Sequence, residues 1–250
     1  MRLDLTILLA VLGACFLSMA FFALGTRHRG PDPLESKARG TFILGDFVRI
    51  WFYWVIDPLV KVAVAGRLSP TFFNLLGAGF GALAGVAFAF HQPVMGGWAI
   101  FLGGAADVFD GRIARSTGVA SPKGAFLDST LDRFAEVGVF AGLAVFFRAQ
   151  TIPSLMVALA LGGSLLVSYA RARGESQGVV CKVGVMQRAE RLLLLGFAGL
   201  LDPVFSDWTG RPPGTLLAAI LLIIAAGTLA TAAYRTVWIA RRLPDSDTDI

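Results

Sequence analysis

Seven long apolar runs constrain this chain more than any other feature, because lipid offers no partner to an unpaired backbone group. The first covers residues 5–25, and six more follow at about 70–90, 94–115, 124–147, 152–173, 188–201 and 214–240. A helix crosses a bilayer in about 20 residues. Only the run at 188–201 is much shorter, and it needs flanking residues to reach both interfaces, while 202–213 after it reads as a loop. With 56% hydrophobic and 16% charged residues, the composition is that of a membrane protein.

The expected fold is therefore an all-α integral membrane protein. It has a six-helix transmembrane core, one extra N-terminal transmembrane helix and an interfacial amphipathic helix. The interfacial helix falls at 41–65, where Phe42, Phe47, Trp51, Phe52, Tyr53 and Trp54 are interleaved with Asp46, Arg49, Asp57, Pro58 and Lys61. Each charge at the centre of a span would cost ~2.5–3.5 kcal/mol, so this stretch reads as lying in the interface. Ala23-Leu24-Gly25 has a weak likeness to a signal-cleavage site. Arg27, His28 and Arg29 follow at once and resist translocation, so an uncleaved anchor with its N-terminus outside is expected. The chain divides into an anchor at 1–29, a connector with the interfacial helix at 30–65, the six-helix domain at 66–242 and an acidic tail at 243–250.

The net charge of +5 does not point to nucleic acid, because the cations lie between apolar segments rather than on one exposed helix or tail. With the N-terminus outside, all but three of the 22 lysines and arginines (Arg2, Arg148 and Arg211) fall inside. That asymmetry sets the orientation, and a multi-pass protein of the cell (inner) membrane with its active site at the cytoplasmic face is expected. Cys15 and Cys181 have no disulfide or zinc spacing and read as free thiols. Gly77, Gly81 and Gly85, four apart, mark a close-packing helix face. Ser69 reads as an N-cap, with Pro70 in the first turn.

The stretch 107–132, DVFDGRIARSTGVASPKGAFLDSTLD, sets four carboxylates inside this apolar chain. Asp107 and Asp110, three apart, share a helix face, as do Asp128 and Asp132, four apart. Residues 116–124, with Gly118, Pro122 and Gly124, read as a turn between two helices. Folded back, the hairpin gathers four negative charges that need cations to hold them, which implies a hard divalent metal site at the cytoplasmic boundary. Arg171 ends one span, and Arg188 and Arg191 share a face at the start of the next. Together with Arg173 and Lys182, they could clamp an anion beside that site.

Asp107, Asp110, Gly111, Ala114, Arg115, Gly124, Asp128 and Asp132 have the spacing of the defining motif of the CDP-alcohol phosphotransferases, which this chain resembles over about 69–242. The run from Cys181 to Arg191 is similar to a segment of the phosphatidylinositol-phosphate synthase branch. Where many relatives have Pro-Asn-x-x-Thr, this chain has Pro70-Thr71-x-x-Asn74, with the polar pair exchanged. The resemblance implies a transferase of phospholipid biosynthesis that moves a phosphatidyl group from CDP-diacylglycerol to an alcohol and releases CMP.

It further implies a two-metal site of Mg2+ or Mn2+ on Asp107, Asp110, Asp128 and Asp132, with Asp132 also the general base. Asp107, Gly111 and Arg115 would border the CDP moiety, and Arg171, Arg188 and Arg191 would hold the acceptor. An inositol phosphate is the expected acceptor, with glycerol 3-phosphate or another polar alcohol as the alternative. Expected partners are these substrates and membrane lipids, with a second copy of the chain left open and nucleic acid excluded. Two other classes compete. An intramembrane prenyltransferase also uses aspartates on pyrophosphate, but not Gly-x-x-Ala-Arg after them. A transporter gives no reason for Gly111, Arg115 and Gly124.

Overall fold

The computed structural model describes residues 3–25 and 45–244. The expectations about Arg27, His28 and Arg29, the connector with the start of the interfacial helix at 30–44, Phe42 included, and the tail with Asp245, Asp247 and Asp249 lie outside these residues, as do the side chains of Asp46 and Arg49. The described residues form eight helices and no strand. They are α1 (Leu3–Gly25), α2 (Gly45–Ala65), α3 (Pro70–Ala89), α4 (Pro93–Thr117), α5 (Pro122–Phe146), α6 (Thr151–Ser176), α7 (Arg188–Thr209) and α8 (Thr215–Ala240). Of these, α1, α3, α6, α7 and α8 are long and apolar enough to cross a membrane. Helices α4 and α5 have 25 residues each, about 37 Å of helix, so length suffices there too. Each interrupts its apolar run with two aspartates, Asp107 and Asp110 on α4 and Asp128 and Asp132 on α5.

The last six helices close a ring in the order α3, α4, α7, α8, α6, α5 and back to α3. Phe88, Phe140, Leu143, Phe147, Leu195, Leu217, Leu221 and Ile224 fill its centre, each almost wholly buried. Lipid is as apolar as leucine, so packing and not hydrophobicity must hold such helices together, and small residues allow it. The expected glycine stripe serves two neighbours. A Cβ on Gly81 would lie 2.5 Å from that of Ala135, and one on Gly85 would strike the main chain of Gly138, so α3 and α5 meet backbone to backbone. Gly77 turns instead to α4, where the Gly103 carbonyl is 3.4 Å from its Cβ position.

Local signals set the helix starts. The Ser69 hydroxyl accepts from the Phe72 N–H at 3.2 Å, with Pro70 opening α3. Ser121 accepts from the Gly124 N–H at 3.1 Å, with Pro122 opening α5. Gly124 therefore belongs to the first turn of α5 rather than to the preceding turn. Helix α4 ends on Gly118 in the left-handed conformation, φ 71°, which glycine adopts without strain.

One boundary differs from expectation. The segment 202–213, read as a loop, is helical to Thr209, and α7 runs through Pro203. Asp202 is wholly buried, and its carboxylate accepts from the N–H groups of Gly214, Leu216 and Leu217 at 2.7, 3.0 and 3.2 Å. The polar residue that looked like the start of a loop caps the next helix instead.

Helices α1 and α2 stand at the side of the ring. The Trp51 indole donates to the Ser18 hydroxyl at 3.1 Å, and Phe22 lies 5.5 Å from Trp54 and 5.8 Å from Phe47 between ring centroids. Helix α2 packs on α4 through Ile56, Val60, Ala63 and Ile113, with Phe73 stacked on Phe109 at 5.3 Å.

Candidate functional site: a carboxylate cluster closed by arginine

The α4–α5 hairpin brings one oxygen each of Asp107, Asp110 and Asp128 within 4.8 Å of one another. Asp132 follows one turn later on the same face of α5. It joins the group through Arg188, at the start of α7. Nη1 of Arg188 lies 3.0 Å from Asp107 Oδ1, and Nη2 lies 2.7 Å from Asp132 Oδ1. Arg133 adds a weaker contact, Nη1 to Asp132 Oδ2 at 4.0 Å. Asp110 is buried, and its Oδ1 accepts from the Gly111 N–H. A Cβ on Gly111 would come within 3.2 Å of Arg115 Nη1, so the missing side chain lets that guanidinium lie back along α4.

Four carboxylates against the two guanidinium groups of Arg188 and Arg133 leave two formal negative charges. An all-oxygen donor set with that deficit at one point fits a hard divalent cation. The residues present therefore suit the expected metal.

The acceptor arginines separate. Arg188 sits on the aspartates. Arg171 is exposed on α6 and pairs with Glu175 at 2.9 Å. Arg191 is buried, 1% exposed, against Glu136, 2% exposed. Its Nη2 and Nε lie 2.6 and 2.8 Å from Glu136 Oε1, and Nη1 donates to the Met186 carbonyl at 3.1 Å. Arg191 is thus packed inside the protein one turn below Arg188 and does not stand beside it at the surface.

Glu136 was missed from sequence, although the signal was present: it continues the Asp128, Asp132 ridge at the same four-residue interval. Its Oε2 is buried without a hydrogen-bond partner. With Gly77, Gly81, Gly103, Gly104 and Arg188, it lines a small cavity between α3, α4, α5 and α7. Arg235, one of the cations on the inside of the expected topology, has a structural place as well. It is 3% exposed and donates from Nε to the Val183 carbonyl at 2.7 Å and from Nη1 to that of Val167 at 2.9 Å. It thereby ties the segment carrying Lys182 to α6 and α8. No local pattern marks it.

A model of the CDP-alcohol phosphatidyltransferase family matches residues 68–238. The phosphatidylinositol phosphate synthase of Streptomyces avermitilis is 34% identical over 236 residues, covering 90% of this chain and 92% of its own. The archaetidylinositol phosphate synthase of Methanothermobacter thermautotrophicus is 30% identical, covering 75% and 90%. In fold, the chain is similar to crystal structures of the Mycobacterium tuberculosis phosphatidylinositol phosphate synthase. One has CDP-DAG bound, with TM-score 0.66, 23% identity and coverage of 77% and 96%. Another is in complex with manganese and citrate, with TM-score 0.67, 23% identity and coverage of 77% and 92%.

Proposed function

The chain belongs to the CDP-alcohol phosphatidyltransferase family, and from that premise we propose that it transfers the phosphatidyl group of CDP-diacylglycerol to an inositol phosphate, releasing CMP. The carrying observation is Arg188, which places a guanidinium fork directly on the carboxylate cluster, between Asp107 and Asp132. A cation beside the acids suits an acceptor that is itself a phosphate ester. The names of the two relatives above support the same acceptor.

Asp107, Asp110, Asp128 and Asp132 hold Mg2+ or Mn2+, two ions in the fullest reading. Bound there, the metal neutralises the pyrophosphate and stabilises the departing CMP. Asp107, Gly111 and Arg115 border the CDP moiety, the arginine as a charge on phosphate and the glycine by close approach. Asp132, one turn from Asp128, takes the proton of the acceptor hydroxyl as its oxygen bonds to the phosphatidyl phosphorus. The bond from that phosphorus to the CMP oxygen then breaks. Arg188 and Arg171 hold the acceptor phosphate, and Arg191 supports Arg188 from below through its pair with Glu136.

The lipid donor explains a polar site at the end of apolar helices, because its tails stay in the bilayer while the headgroup enters from the side. The cations of the α4–α5 turn, the α6–α7 segment and the end of α8 share one side of the ring, whereas Arg148 and Arg211 lie at the other ends. This supports an active site on the cytoplasmic face of the cell membrane, with α2 in the interface. The test is CMP release by purified enzyme supplied with CDP-diacylglycerol, an inositol phosphate and Mn2+. Release should stop in chelator and in Asp128→Ala. Undiminished release in chelator would refute the reading.

A further inference from the structure

Helix α4 has two working faces at one level. Asp107, Asp110 and Gly111 turn toward α5 and Arg188, while Phe109, Arg112 and Ile113 turn toward α2 and α3. On that second face, Arg112 Nη2 lies 2.8 Å from Asp57 Oδ1, and the guanidinium sits 4.9 Å from the centre of the Tyr53 ring. Lys61 Nζ takes the other oxygen of Asp57 at 2.7 Å. Hydrogen bonding from Lys61 first, and then the charges of Lys61 and Arg112, holds the Asp57 carboxyl below its ordinary range, so it is ionised at neutral pH.

Among the described side chains, Ile56, Val60 and Ala63 of α2 add apolar packing against Ile113 of α4. Apolar packing sets the distance between two helices but resists sliding and rotation weakly, whereas a directional ion pair fixes register. Arg112 is two residues from Asp110 and five from Asp107, under two turns of one helix. A shift of α4 at Arg112 is carried to both. The family model begins at residue 68, so Asp57 acts from outside the matched core.

We propose that Asp57 is a positioning residue which, through Arg112, sets where Asp107 and Asp110 stand and so tunes divalent-cation affinity; this rests on reading those aspartates as metal ligands. Helix α2 is then a brace on the metal site, anchored in turn on α1 by the Trp51–Ser18 hydrogen bond.

The test is Mn2+ binding to purified, detergent-solubilised protein, followed by the EPR signal of free Mn2+ without substrates. Wild type should bind Mn2+, and Asp107→Ala should not. Absence of binding in wild type would defeat the metal-site reading itself, a failure separate from that of the brace. D57N and R112Q should each weaken binding about three- to fivefold, the range of a half-exposed ion pair. The double variant should be no weaker than either alone, because both remove one contact. D57E, which keeps the carboxylate, should bind nearly as wild type, and the acceptor KM at saturating Mn2+ should stay unchanged in the Asp57 and Arg112 variants. Wild-type affinity in D57N would overturn the proposal. So would R112Q binding Mn2+ as well as wild type, which would reduce the effect of Asp57 to its own charge.

Discussion

Replacing Arg191 by methionine should destabilise the protein before it affects turnover. The guanidinium is 1% exposed, with Nη2 and Nε 2.6 and 2.8 Å from Glu136 Oε1. Without it, a carboxylate that is 2% exposed loses its ion-pair partner, and its Oε2 already has no donor. Breaking a buried pair from one side costs about 3–5 kcal/mol, because the remaining charge is uncompensated. At ~2–4 °C per kcal/mol for a chain of this size, the melting midpoint should fall by ~6–20 °C. Removing both charges, with Arg191→Met and Glu136→Leu together, should recover most of the loss. The assay is thermal melting of detergent-solubilised protein, followed by tryptophan fluorescence. A single variant within about 2 °C of wild type, or a double variant less stable than the single, would refute the reasoning.

Asp202→Ala should cost about 3 kcal/mol by leaving buried donors of α8 without an acceptor. Its acceptor KM should not change, since Asp202 lies 14 residues, about 21 Å, along α7 from Arg188; a raised KM at a permissive temperature would contradict this. Gly85→Val should drive α3 from α5 and cost at least ~2 kcal/mol, read as a lower melting midpoint with Gly79→Val as the control, where a Cβ meets nothing within 4 Å. In a Cys15→Ser background, a cysteine at Val119 should resist an impermeant reagent in intact cells, whereas one at Trp208 should react. The reverse pattern would invert the topology.

The clustering of Asp107, Asp110 and Asp128 was legible because carboxylates three or four apart share a helix face and the turn between the two helices brings those faces together. The helix starts at Ser69 and the glycine stripe of α3 were legible because each acts within a turn or along one face. What escaped was tertiary. Asp202 looked like the start of a loop because the N–H groups it caps belong to another helix. Arg191 looked like a surface clamp because its partner, Glu136, is 55 residues away on α5. Arg112 lies inside the aspartate motif, yet its role depends on Asp57 from outside the family core, and no spacing rule connects them. Glu136 is a different case: the ridge at 128, 132 and 136 was visible, and the motif drew attention only to its first two members.

The central claim is tested most directly by acceptor competition. Purified enzyme with CDP-diacylglycerol and Mn2+ is offered equal concentrations of inositol phosphate, glycerol 3-phosphate, free inositol and serine in one vessel. The lipid product is identified by mass, and CMP is measured in parallel. The account predicts phosphatidylinositol phosphate as the main product, one CMP for each lipid formed, and neither in Asp132→Ala. A main product from free inositol or serine, which carries no phosphate for Arg188 to hold, would contradict it.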